Sequence, residues 1–141
     1  MRLKPTPLVE TSLVFSIAWL ISLIFSIFNT NDFNKALIQN SNMALFFLMG
    51  SYFLWGITGL AVRRKSYLIR FFANLTVTSV IALGTCALLL GLASGSKDID
   101  SAMVEAATPR LIALSTNYFF ASAIAAGLTF FVLTRPKKQK K

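Results

Sequence analysis

The chain contains no histidine and a single cysteine, Cys86. The first absence removes the commonest general base and the usual protein ligand of haem and zinc. A lone cysteine forms no intramolecular disulfide and supplies no CxxC redox pair. Thiol oxidoreduction and His-ligated haem anchoring are therefore excluded. Acidic residues number only five, and four of them, Asp32, Asp98, Asp100 and Glu105, fall between apolar runs. Proline occurs only at Pro5, Pro7, Pro109 and Pro136, outside those runs. The seven glycines form no phosphate-binding loop, and no motif with a catalytic mechanism is present. Without a base, a metal set or a nucleophile array, an enzyme acting on lipid is not expected. Cofactor: none is expected. Metal: none is expected.

What the chain does have is apolar surface. Hydrophobic residues make up 55% of its 141 positions, and the mean hydropathy is +0.67. Four stretches, 8–28, 43–62, 71–93 and 111–134, contain one charged residue between them, Glu10. A soluble four-helix bundle needs charged outer faces, and these stretches offer none. Each is long enough for a bilayer core of about 30 Å, which needs about 20 helical residues. Inside lipid the backbone must bond to itself, so these runs predict helices. Period-2 alternation, the mark of a barrel strand, is absent. The expected fold is all-α: four transmembrane helices in an antiparallel bundle, one domain over 1–134, followed by a basic tail over 135–141.

The cations set an expected orientation. Arg2 and Lys4 precede the first span, Arg63, Arg64, Lys65 and Arg70 follow the second, and Arg135, Lys137, Lys138, Lys140 and Lys141 end the chain. Only Lys35, Lys97 and Arg110 lie on the other side. The positive-inside rule puts both termini and the middle connection in the cytoplasm, in a bacterial inner membrane, with the connections 29–42 and 94–110 outside. The first run is too long for the roughly 7–15-residue core of a cleaved signal and is expected to persist as a span. The net charge of +9 then has a topological cause. The cations gather at membrane boundaries and not on one soluble face, so nucleic acid is not an expected partner. The basic groups, the tail above all, are expected to meet anionic lipid headgroups.

Helices in lipid associate through small residues and interhelical hydrogen bonds. Ser12, Ser16, Trp19, Ser22 and Ser26 fall within an arc of about 120° on the first span and predict a packing seam, or else a polar wall along a solute path. On the third span Ala73, Thr76, Val80, Gly84, Ala87 and Gly91 share a face. The fourth is small on two sides. Asn117, Ala121 and Ala125 form one, and Ser115, Ser122, Ala126 and Thr129 the other, which predicts a central position. Gly56 and Gly59 offer a weaker seam on the second span, whose Phe46, Phe47, Phe53 and Trp55 read as lipid-facing or interfacial aromatics.

Three polar residues within the runs need partners. Glu10 lies near the start of the first span and predicts an ion pair with Arg2, Lys4 or Arg70 or a solvated end. The sharper alternative is a coupling acid. Asn74 and Asn117 predict hydrogen bonds across to other helices. In the connection 94–110, Asp100 is expected to cap a short surface helix running to Ala107, with Pro109 as its stop. The spacing of Asp98, Asp100 and Glu105 is not that of a calcium loop.

These features predict a small, non-catalytic membrane protein serving as an accessory or structural partner of a larger assembly. The alternative is a small homo-oligomeric channel or transporter for a small solute or ion. A discontinuous helix, the frequent mark of a transporter site, is not signalled.

Overall fold

The computed structural model describes residues 6–96 and 99–134. Among them there is no strand, and the element order is α1 (Pro7–Thr30), α2 (Phe33–Met43), a π-helical turn (Ala44–Leu48), α3 (Met49–Val62), α4 (Tyr67–Gly95) and α5 (Ser101–Thr134). Four helical rods are long and apolar enough to cross a membrane: Pro7–Thr30, Phe33–Val62, Tyr67–Gly95 and Ser101–Leu133. Calls resting on Arg2, Lys4, Lys97, Asp98, Arg135, Lys137, Lys138, Lys140 and Lys141 lie outside the described residues.

The helix ends follow local chemistry. Pro7 opens α1 at a position where its missing N–H costs nothing, and the Thr6 hydroxyl accepts from the Val9 N–H at 3.4 Å. Asn31 ends α1 in the left-handed conformation, φ 50°, which asparagine tolerates better than most residues. Its N–H bonds to the Ile27 carbonyl at 2.9 Å. Asp32 then caps α2 by accepting from the Asn34 and Lys35 N–H groups at 2.9 and 3.3 Å. Chain reversal thus takes two residues. The segment 29–42, expected as a loop, is helical from Phe33 onward. The expectation failed because Phe33–Met43 is amphipathic and polar, burying only Ala36, Asn40 and Met43.

The second connection departs from expectation in the same way. Asp100 does cap the next helix, its side chain accepting from the Ala102 N–H at 3.5 Å. Pro109, however, lies inside α5 and does not stop it. A proline removes one backbone donor, and here the carbonyl that loses its donor is that of Glu105, on an exposed turn where water can replace the bond. At about 1.5 Å per residue the 34 residues of α5 extend about 50 Å, well past a bilayer core of about 30 Å.

α5 packs on both α1 and α4, as its two small faces require, while α3 packs on α1 and α4 from the other side. Ala121, Ser122, Ala125, Ala126 and Thr129 of α5 are all buried. α1 and α4 do not pack directly on each other. The core is completed by Val14, Ala18, Met43, Phe47, Leu48, Trp55, Ala82 and Tyr118. Phe47 and Trp55 are thus core residues, not lipid-facing as expected. Phe46 and Phe53 do face outward. The π turn, where the Met49 N–H reaches back to the Ala44 carbonyl, puts the adjacent residues Phe47 and Leu48 both in the core.

Candidate functional site

Most of the chemistry in this molecule lies between the helices, in three polar groups stacked along the core. The first sits near the start of α1. Glu10 is only 7% exposed and Arg70 of α4 only 8%. The Arg70 Nη2 group donates to Glu10 Oε2. The guanidinium also lies over the Phe130 ring, 4.8 Å from its centroid. Glu10 therefore joins α1 to α4, the two helices that otherwise do not meet. Arg70 was counted among the headgroup anchors with Arg63, Arg64 and Lys65. Those three are exposed on the α3–α4 turn, whereas Arg70 is turned inward. Beside the pair is a cavity of about 20 Å³, lined by Trp55, Thr58, Gly59, Val62, Asn74 and Phe130. That is room for about one water. Asn74 is 5% exposed, and its Oδ1 has no partner among the described residues.

One level further along, Trp55 Nε1 donates to Thr78 Oγ1 at 3.2 Å, tying α3 to α4. Ser51 donates to the Phe47 carbonyl at 2.6 Å and also shares a hydrogen bond with the Tyr118 hydroxyl of α5. The Tyr118 ring stacks on Phe47 at 5.2 Å between centroids. Tyr118 is fully buried. None of Ser51, Thr78 and Tyr118 stood out in the sequence. Ser51 and Tyr118 lie 67 positions apart and Trp55 and Thr78 lie 23 apart, separations that no local pattern exposes.

The third group joins α1, α2 and α5. Asn117 Nδ2 donates to Ser22 Oγ at 3.1 Å and to Ser26 Oγ at 3.4 Å. Asn40 Nδ2 donates to the Trp19 carbonyl at 3.2 Å. The serine stripe itself divides. Ser22 and Ser26 are buried, and Ser12 is half-buried and hydrogen-bonded with the Tyr52 hydroxyl at 3.2 Å. Trp19 is half-buried and Ser16 is exposed. The buried face of α1 runs instead through Thr11, Val14, Ala18, Ser22 and Ser26. It is displaced from the centre of the serine arc by about a quarter turn.

Outside the core the helices present apolar surface: Leu20, Ile24, Phe28, Phe53, Leu83, Leu88, Leu92, Ile124 and Leu128 are all exposed. Gly84, Ala87 and Gly91 of α4 lie on this outward surface and not in a seam within the chain. A Cβ added at Gly84 or Gly91 would meet nothing within 4 Å. A Cβ added at Gly59, by contrast, would lie 3.8 Å from Pro7 Cβ at the α1–α3 contact. Two open grooves flank the start of α5. One, about 470 Å³, lies between α4 and α5 and the other, about 680 Å³, between α5 and α2, with Arg110 and Leu114 on the rim of both.

Among the described residues no group of His, Cys, Asp and Glu is arranged to hold a metal. No protein-family model, curated protein or solved structure matches the chain.

Proposed function

We propose that this protein is an integral membrane subunit, an antiparallel four-span bundle that acts as a non-catalytic partner of a larger membrane assembly. Membrane insertion is supported by the exposed leucines, isoleucines and phenylalanines on all four rods. A contiguous apolar surface of that extent marks a membrane or partner face. The charge asymmetry supports both chain ends on the cytoplasmic side, with Lys35 and Arg110 on the outer side.

The single observation that carries the subunit reading is the contrast between the core and the outer face of α4. Inside, polar side chains bond helix to helix, and the cavity beside the ion pair has room for about one water. Outside, Gly84, Ala87 and Gly91 leave a shallow track with open space above it. Small residues at this spacing let a second helix approach closely in lipid. A chain that ties its helices to one another inside and leaves this track bare is suited to holding a neighbour.

A photo-crosslinking residue at position 87, expressed in the native membrane, tests the reading. The expected outcome is a discrete adduct with a different polypeptide, absent when the crosslinker is moved to Phe53 on the α1–α3 side. Adducts with lipid alone, or with a second copy of this chain alone, would overturn it. A self-adduct accompanied by solute flux in liposomes holding only this protein would establish the homo-oligomeric channel instead.

A further inference from the structure

Arg110, like Arg63 and Arg64, is exposed and, among the described residues, makes no ion pair. Its setting is what differs. It borders both grooves at the start of α5. The α4–α5 groove is otherwise apolar, walled by Phe46, Leu89, Ala93, Met103, Ala107 and Leu111. The α5–α2 groove carries polar groups, Thr30, Lys35, Gln39 and Asn42, beside Pro109. Among the described residues, no carboxylate lines either one. Lys35 reaches its own acid, Asp32, only at 3.9 Å and in an exposed setting, so that pair leaves it largely available. The sizes of both grooves fall within the range of about 300–1,000 Å³ usual for ligand sites.

Depth along α5 says which anion is at hand. Phe130, beneath the inner Arg70 guanidinium, is 20 residues from Arg110, or about 30 Å along a helix. That is the thickness of the hydrocarbon core, so Arg110 falls at the headgroup level of the leaflet opposite Arg70. The abundant anion there is a phosphate diester, and a guanidinium binds one through two parallel hydrogen bonds.

We infer that Arg110 holds the phosphate of an outer-leaflet phospholipid, with an acyl chain in the apolar α4–α5 groove and the headgroup toward Lys35 in the polar one. The site rests on the membrane reading but not on any protein partner, so it is testable on the isolated chain.

The experiment is native mass spectrometry of the purified full-length protein with added phosphatidylglycerol, diacylglycerol of the same chains, or inorganic phosphate. Wild-type protein is expected to retain one phosphatidylglycerol and to lose diacylglycerol. Arg110→Ala should weaken retention about tenfold or more, the scale of one lost charge-assisted contact. Arg110→Lys, which keeps the charge without the fork, should fall between. Circular dichroism of each variant confirms that the helices persist. Equal retention of diacylglycerol, undiminished binding by Arg110→Ala, or displacement of the lipid by inorganic phosphate alone would overturn the assignment. If Arg110→Ala does not fold, Arg110→Lys binding as tightly as wild type overturns it as well.

Discussion

Arg70 and Arg110 lie toward opposite ends of the helical packing and have opposite environments. Arg70 is enclosed, paired with Glu10 and covered by the Phe130 ring. Arg110 is exposed between two grooves and pairs with no acid among the described residues. The difference teaches how one residue type serves two purposes in an apolar protein. A guanidinium with an acid inside the bundle organises the helices, because leaving either charge alone there is costly. A guanidinium without one is left to bind something outside the chain.

The comparison can be broken by mutation. The largest effect is expected at the enclosed end. Glu10→Ala leaves Arg70 buried without its counter-charge and should destabilise the protein by about 3–5 kcal/mol, measured as the unfolding free energy in detergent micelles. The paired replacement Glu10→Leu with Arg70→Met should recover most of that loss, since both charges leave together. If the single and double variants are equally unstable, the pair does not organise α1 against α4.

A smaller effect is expected in the third polar group. A double-mutant cycle on Asn117→Leu and Ser22→Ala should return a coupling of about 0.6 kcal/mol, the average for such bonds between membrane helices. A coupling indistinguishable from zero would mean that the pair contributes no specific stability. The smallest effect belongs to the exposed arginine. Arg110→Ala should change the unfolding free energy by no more than about 0.5 kcal/mol in the same assay. A loss there as large as that of Glu10→Ala would erase the distinction between the two ends.

Legibility from the sequence varied by residue for physical reasons. The four rods were visible because a bilayer-length apolar run has few other uses. Their extensions were not. Phe33–Met43 and the start of α5 are polar or mixed, so the apolar signal ends before the helix does. Asn117 stood out as an amide inside an apolar run, and its partners Ser22 and Ser26 belonged to a visible arc. Asn40 did not stand out, because it lies in a polar segment where an asparagine attracts no notice, yet it is fully buried. Trp55 and Phe47 were read as lipid-facing because aromatic residues suit both a lipid boundary and a packed core. Only the helix's rotation about its axis distinguishes the two.

Composition and spacing alone determined that these helices exist, that their central runs are apolar, and that the cations fall outside those runs. These follow from local hydrophobicity and charge, which need no knowledge of neighbours. The tertiary structure decided which side of each helix turns inward, that Glu10 meets Arg70 across a gap between α1 and α4, and that Gly84, Ala87 and Gly91 remain uncovered. Rotation and pairing are set by contacts between residues tens of positions apart. A helix that is apolar all round carries almost no local preference among its possible rotations.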